Sequence, residues 1–139
     1  MRRYLGFTLI EVLVVLVLTA LVAAWVWPTY QAQVQRARRV QARVVLLDSA
    51  QRLERLLATS ASGVLPPDVA SVLPLFSSGG SYRVSVLVSA EGSGYVLRAE
   101  PVAVAQRSDA CGTFWLNHLG QQGVSATASG VSADECWGR

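Results

Sequence analysis

Apolar side chains fill the start of the chain almost without interruption. From Phe7 to Trp27 the only charged side chain is that of Glu11. A helix of this length is about 31 Å long, which matches the hydrocarbon core of a bilayer. A carboxylate placed in hydrocarbon costs about 2.5 to 3.5 kcal/mol on insertion scales. We therefore expect the segment to span a membrane and Glu11 to have a functional partner.

The following residues, 30–58, keep a helical pattern but become polar on one side. They are rich in Ala, Gln, Arg and Leu and contain neither Gly nor Pro. Helical spacing places four apolar side chains on one stripe, which should hold a globular head: Leu46, Ala50, Leu53 and Leu57. Asp48, Arg52 and Arg55 lie near the opposite side, and the spacing of Asp48 and Arg52 is that of a helical ion pair.

The rest of the chain alternates short strand-like runs with turn residues. A stretch rich in Ser, Gly and Pro predicts that the helix ends near Gly63 and that one short helical turn follows Asp68. The runs SYRVSVLVSA and GYVLRAEPVAVA predict two strands joined at EGSG, with Pro101 at an edge or at the end of pairing. Further strands are predicted at Thr113–Asn117 and Val124–Ala126. The predicted fold is α+β, with one long N-terminal helix packed on a small antiparallel sheet.

Composition and motifs give no indication of catalysis or of a bound cofactor. The 139 residues carry twelve arginines, no lysine and nine acidic groups, for a net charge of +3. His118 is the only histidine, and no catalytic motif, Gly-rich phosphate loop or internal repeat occurs. Asp134 and Glu135 are adjacent acids, but two are too few to predict a calcium site. We expect neither an enzyme nor a bound cofactor or metal.

The two cysteines, Cys111 and Cys136, lie near the C-terminus. There is no CxxC and no second pair that could complete a zinc site. A disulfide is the simple interpretation if the head is exported to an oxidising compartment. The alternative is a pair of buried free thiols in a cytosolic protein.

Two ordinary interpretations of the N-terminus leave the carboxylate of Glu11 unexplained. Arg2, Arg3 and the apolar run resemble a secretory signal, with small residues for a signal peptidase at 22–24. The same features fit an uncleaved anchor whose arginines stay inside the cell. Neither interpretation accounts for Glu11.

The letters GFTLIEVLVV, from Gly6 to Val15, follow a short basic leader, MRRYL. This stretch resembles the prepilin leader of type IV pilins and pseudopilins. The resemblance implies that a membrane-embedded aspartic peptidase cuts after Gly6 and that the new N-terminal residue, Phe7, is N-methylated. It also implies that Glu11 contacts the N-terminal amine of a neighbouring subunit in an assembled fibre.

Two later features extend the resemblance along the chain. Pro28 falls where type IV pilins often carry a proline that bends or locally melts the helix. The pattern CGT, GQQGVS and ECW around Cys111 and Cys136 is similar to that of type IVa pilins, most of all small and minor pilins of Gram-negative bacteria. A long helix on a small sheet, with a C-terminal cysteine pair, is the fold that this family implies.

The resemblance also implies an organisation and a set of partners. The chain would consist of a leader at residues 1–6, a transmembrane and polymerisation segment at 7–28, and a periplasmic helix continuation with a globular head at 29–139. The partners would be other pilin subunits, the prepilin peptidase, the inner-membrane pilus assembly platform and, before assembly, the inner membrane.

Arginines cluster just beyond the apolar run. This arginine collar consists of Arg36, Arg38, Arg39 and Arg43, and three of its members, Arg36, Arg39 and Arg43, share one helical side. The positive-inside rule would place such a collar in the cytoplasm, whereas the pilin interpretation places it outside, so recognition of the leader would have to override that bias. We expect a solvated face, or contacts with acidic neighbours and lipid headgroups.

The function that these features favour is a structural subunit, more specifically a minor pilin of a type IV pilus. A pseudopilin of a type II secretion system shares the leader but less often has the cysteine pair. A DNA-binding competence pilin would need a basic, exposed head, yet beyond the helix four arginines stand against six acidic residues. DNA is therefore an alternative partner that the charges do not favour, with weak binding expected at the arginine collar.

Overall fold

The computed structural model describes residues 7–125, 127–128 and 130–138. The first element is helix α1, Leu9–Thr59, of 51 residues. The elements that follow are a 3-10 turn at Val69–Val72, strands β1 (Tyr82–Val88) and β2 (Tyr95–Pro101), helix α2 (Val104–Arg107), strands β3 (Thr113–Asn117) and β4 (Gln122–Ser125), and helix α3 (Ala133–Trp137).

The chain divides into two compact units between Val34 and Gln35. In the first unit, α1 contains an 18-residue window with a mean hydropathy of 2.7, none of which is buried. Its length and composition are those of a helix that can cross a membrane. The second unit contains the rest of α1 and the whole sheet.

The four strands form one antiparallel sheet in the order β1-β2-β3-β4. Each strand pairs with the next in sequence, which gives the registers Val84 with Ala99, Leu97 with Leu116 and Phe114 with Val124. Residues that share a face recur at every second position. The predicted α+β class and the antiparallel sheet are confirmed.

The core lies between one face of α1 and the inner face of the sheet. Leu46 and Leu53 of α1 are fully buried, as are Tyr82, Leu97 and Phe114 of the three longest strands. Ala50 and Leu57, predicted for the same stripe, are partly buried against this core, which also reaches back along α1 to Ala42. The carboxylate of Asp48 lies 2.9 Å from Nε of Arg52, as their spacing predicted.

Helix α1 ends at Thr59, slightly before the predicted boundary near Gly63. The hydroxyl of Thr59 donates to the carbonyl of Arg55 at 2.9 Å, and the hydroxyl of Ser60 donates to that of Leu57 at 3.1 Å. These side chains satisfy carbonyls that the final helical turn leaves without amide partners. Gly63, with φ +65°, then turns the chain away.

Two short helices were not predicted. The run after Pro101 forms α2 and does not extend β2, because the amides of Val102 and Ala103 both bond back to the carbonyl of Ser81. Helix α3 begins where Ser132 Oγ accepts the amide of Glu135 at 3.2 Å. Both helices are too short to show a helical period in the sequence. The predicted last strand does form, as β4, but its predicted end at residue 126 lies outside the described residues.

Leu46→Ala should lower the free energy of unfolding of the head by about 2 to 5 kcal/mol, because a fully buried leucine leaves a cavity. Its neighbour Leu47 is 48% exposed, so Leu47→Ala should change that free energy by no more than about 0.5 kcal/mol. Denaturant unfolding of the full-length chain in detergent, followed by near-UV circular dichroism, measures both. Equal losses would contradict the assigned packing of α1.

Candidate functional site

The first turn of α1 presents an unpaired carboxylate. The amide of Glu11 donates to Thr8 Oγ1 at 3.3 Å, which caps the helix start, and the Glu11 side chain is exposed. Among the described residues the Glu11 carboxylate has no hydrogen-bond or ion-pair partner. Phe7 is 82% exposed, and Gly6 lies outside the described residues. The Glu11 carboxylate is thus available to a group from another molecule.

Pro28 lies inside α1, and the helix continues on both sides of it. Local melting of the helix, which the resemblance allowed, does not occur at this position. Trp25, Trp27 and Tyr30 surround the proline and are all more than half exposed. Amphipathic rings of this kind suit a membrane interface.

Arg39 of the arginine collar forms an ion pair inside the head. Its Nε lies 3.1 and 2.9 Å from the two carboxylate oxygens of Asp109, and its Nη2 lies 2.8 Å from one of them. The Asp109 side chain is fully buried and also accepts the amide of Cys111 at 2.9 Å. This bidentate pair therefore attaches α1 to the chain just before the first cysteine.

Arg43 has a similar structural role at the other end of the C-terminal segment. Its Nη1 donates to the carbonyl of Trp137, whereas its buried Nε donates to no group among the described residues. The indole of Trp137 donates to the carbonyl of Gly123 at 3.0 Å and packs edge-on against Phe114. Arg39 and Arg43 are thus engaged within the chain, whereas Arg36 is exposed and has no ion pair among the described residues.

The two cysteines are joined, as predicted. The Sγ atoms of Cys111 and Cys136 lie 1.99 Å apart, and the bridge closes a separation of 25 residues. Both cysteines are buried in the same core as Phe114 and Trp137. The disulfide therefore joins the two ends of the C-terminal segment. The Arg39 contact with Asp109 lies just before the first cysteine, and the Arg43 contact with Trp137 lies just after the second.

The opposite face of the sheet is open, and we call it the outer face. It is formed by the residues that alternate with the core positions on β1, β2 and β3: Arg83, Ser85, Leu87, Val96, Arg98, Glu100, Thr113, Trp115 and Asn117. Arg98 lies directly opposite both Ser85 and Trp115 in the strand register. Arg83 and Arg98 are exposed and have no ion pair among the described residues.

Two aromatic side chains accompany these arginines on the outer face. The indole of Trp115 covers Gly123 on β4, where an added β-carbon would stand 2.5 to 2.9 Å from three of its ring atoms. The guanidinium of Arg83 lies 5.9 Å from the ring centroid of Phe76, which pairs with Arg83 in an isolated bridge. This surface was not predicted from the sequence, although the alternation of Arg83 and Ser85 on β1 and of Arg98 and Glu100 on β2 marks its polar side.

A groove of about 690 Å³ lies between α1 and the turn after β3. The phenol of Tyr95 donates to the Glu54 carboxylate there at 2.6 Å, and burial together with that carboxylate raises the pKa of Tyr95. His118 is at the rim, with its ring 6.2 Å from that of Tyr95. Within the described part of the chain, no three His, Cys, Asp or Glu side chains are grouped to hold a metal ion.

Two kinds of comparison, with family models and with solved structures, agree on one family. Residues 1–27 match the family model described as "Prokaryotic N-terminal methylation motif", and residues 28–115 match "Type IV minor pilin ComP, DNA uptake sequence receptor". The structure is similar to that of a type IV pilin from Shewanella oneidensis, with 34% identity and a TM-score of 0.52, over 68% of this chain and 94% of that one. No curated protein matches the chain in sequence.

Arg39→Gln should lower the free energy of unfolding by about 3 kcal/mol, because it leaves the Asp109 carboxylate buried without its partner. Arg36→Gln is the matched control on the same helix and should change it by at most about 0.5 kcal/mol. Adding Asp109→Asn to Arg39→Gln should recover part of the loss, since no charge is then buried alone. Denaturant unfolding of the full-length chain tests all three, and equal effects of the two arginine variants would contradict a structural role for Arg39.

Proposed function

The chain belongs to the type IV pilin family as a minor pilin of the ComP type, and we propose that it is made as a single-pass inner-membrane precursor with its head in the periplasm of a Gram-negative bacterium. Prepilin peptidase removes residues 1–6, and the mature chain then enters the pilus through the assembly platform. It acts as a structural subunit and not as an enzyme.

The observation that carries this proposal is that the methylation motif coincides with the exposed apolar part of α1. The motif ends at residue 27, where the apolar run also ends. The 18-residue apolar window of α1 is not buried within the chain. An apolar surface of this extent needs lipid or other helices around it, and a precursor followed by a fibre supplies first one and then the other.

Glu11 specifies how subunits meet. Cleavage after Gly6 creates a positive amine on Phe7, and a carboxylate in an apolar setting, with no partner among the residues that the structure describes, attracts such a group strongly. Two unit charges 4 Å apart interact by about 4 kcal/mol at an effective dielectric constant of about 20. We propose that Glu11 pairs with the Phe7 amine of a neighbouring pilin, and that Pro28 lies in the same assembly segment.

When the chain is expressed from a plasmid in a strain whose chromosomal copy of its gene is deleted, it should appear in sheared pili. Mass spectrometry should find N-methylated Phe7 as its first residue. Glu11→Val should insert into the membrane normally or better, because it removes a charge from hydrocarbon. It should be at least about tenfold depleted from the pilus fraction, the factor that a loss of 1.4 kcal/mol gives.

The matched control is Thr19→Val. The Thr19 hydroxyl donates only to carbonyls of its own helix, Val15 at 2.9 Å and Leu16 at 3.0 Å, so this change removes a polar group without removing a charge. Thr19→Val should enter pili as the unchanged chain does. Wild-type incorporation of Glu11→Val would contradict the proposed pairing, and a chain that begins at Trp25 or Met1 would contradict the leader.

A second candidate function is the capture of DNA for uptake. It is favoured by the description of the matching family, a DNA uptake sequence receptor, together with the two unpaired arginines of the outer face. Arg39 and Arg43 already bind groups of this chain, so the arginine collar retains Arg36 and Arg38 as its members without a described intrachain ion pair. The outer face thus offers two exposed arginines, whereas the collar retains the exposed Arg36 and the half-buried Arg38.

Pili from the wild-type strain should retain labelled DNA in a filter assay, and raising the salt from 50 to 200 mM should weaken that retention, since phosphate contacts release counterions. Pili from the strain without this chain, matched for total pilin, should retain several-fold less. Equal, salt-independent retention by both preparations would remove the DNA role and leave the structural role intact.

A further inference from the structure

We propose that the outer face binds single-stranded DNA, with Arg83 and Arg98 on phosphates and with Trp115 and Phe76 stacked on bases. This inference rests on the proposed DNA role. It concerns which surface and which form of DNA are used, and neither is implied by the family description.

The four side chains are spread across the sheet in order. Phe76 bridges to Arg83 on β1, Arg98 follows on β2, and Trp115 is opposite Arg98 on β3. The row of Phe76 and Arg83 is offset by two residues along the strands from the row of Arg98 and Trp115. With strands about 4.8 Å apart and a rise of about 3.4 Å per residue, the two aromatic side chains are separated by about 16 Å. That distance covers about five nucleotides at the roughly 3.4 Å spacing of a stacked strand. Single-strand sites in proteins begin at about this size.

Trp115 is fixed in position before any ligand arrives. Its indole covers Gly123, where any side chain would collide with the ring, and the residue remains partly exposed on the open side of the sheet. Gly123 also accepts the indole N–H of Trp137 through its carbonyl at 3.0 Å, which holds β4 beneath the ring. An ordered, partly exposed indole loses little conformational entropy when a base stacks on it.

The arginines are available to phosphates. The Cζ atom of Arg83 lies 5.9 Å from the ring centroid of Phe76, and among the described residues its guanidinium has no hydrogen bond or ion pair. Arg98 has no ion-pair partner in residues 7–125, 127–128 and 130–138. Glu100 lies on the same face, opposite Arg83, and its negative charge repels phosphates. Removing that charge should therefore strengthen DNA binding, whereas removing an arginine should weaken it.

The form of DNA follows from the chemistry of the face. A duplex keeps the flat sides of its bases inside the stack, so Trp115 and Phe76 can reach them only in a single strand. Duplex binding would depend on two arginines, with one acid against them, and would be weak for lack of charge. Arginine and tryptophan are also enriched at protein–protein interfaces, so a second pilin is the competing outcome of the test.

The test uses the full-length mature chain in detergent micelles with fluorescein-labelled dT12 and a labelled 12-base-pair duplex, measured by anisotropy at several salt concentrations. The unchanged chain should bind dT12 at least about tenfold tighter than the duplex. Trp115→Leu keeps an apolar cover over Gly123 but has no π-face, so it should weaken dT12 binding about tenfold, whereas Trp115→Phe should keep most of the affinity.

Charge variants test the phosphate contacts. Arg98→Gln should reduce the slope of log affinity against log salt by about 0.7, the value for one phosphate of a single strand. Glu100→Gln should strengthen dT12 binding about twofold or more, because it removes a like charge. The matched controls are Arg107→Gln, an exposed arginine on α2, and Leu119→Ala, an exposed apolar residue in the turn after β3, and both should leave the affinity unchanged.

Distinct results overturn distinct parts. Duplex binding as tight as dT12 binding, or unchanged dT12 affinity in folded Trp115→Leu, overturns the single-strand surface and leaves the DNA role standing. Loss of pilus incorporation by Trp115→Leu with dT12 binding unaltered assigns the outer face to a second pilin instead. If neither DNA is bound by the chain or retained by wild-type pili, the surface and the DNA role are both wrong.

Discussion

One helix, α1, must pack in two environments, lipid or other helices along its first part and the sheet of the head along its second, and the rest of the structure depends on this constraint. Up to Trp27, α1 is apolar on all sides apart from Glu11 and Thr19, and its apolar window is not buried by its own chain, whereas from Ala42 onward one side is buried. The second part can hold a sheet because Leu46 and Leu53 occupy the same face and meet the inner side of all three longer strands. The same helix thus supplies an apolar surface that lipid or other helices must cover and, in its second part, one face of the core of the head.

The C-terminal segment shows how a small head compensates for a limited core. A domain of this size buries a smaller fraction of its surface than a large one, so cross-links contribute more of its stability. Here the Cys111–Cys136 bridge is flanked by an ion pair from Arg39 and a hydrogen bond from Arg43, both of which originate on α1. Two members of the arginine collar are thus explained by the interior of the head and need no external anion, which also removes part of the conflict with the positive-inside rule.

Local patterns predicted most of the fold, and contacts between distant residues explain the rest. Leu46 and Leu53 follow from helical period, the Asp48–Arg52 pair from its spacing, and β3 from its alternation, because each signal lies within a few residues. The Arg39–Asp109 pair joins residues 70 positions apart, and no single sequence states which carboxylate an arginine meets. The cover of Gly123 by Trp115 was missed for the same reason, since it depends on the register of β3 with β4.

The alternation that builds the core also determines what the opposite face can do. Placing Tyr82, Leu97 and Phe114 inside leaves Arg83, Arg98 and Trp115 outside, and the register then sets Arg98 and Trp115 side by side. Residues on the inner face pack in the core with α1, whereas on the outer face Trp115 lies against Gly123 and Arg83 lies near Phe76. Packing against Gly123 accounts for an apolar side chain at Trp115, but it does not require the exposed arginine beside it. The proposed single-strand surface would use both residue types, because stacking uses the ring and phosphate binding uses the charge.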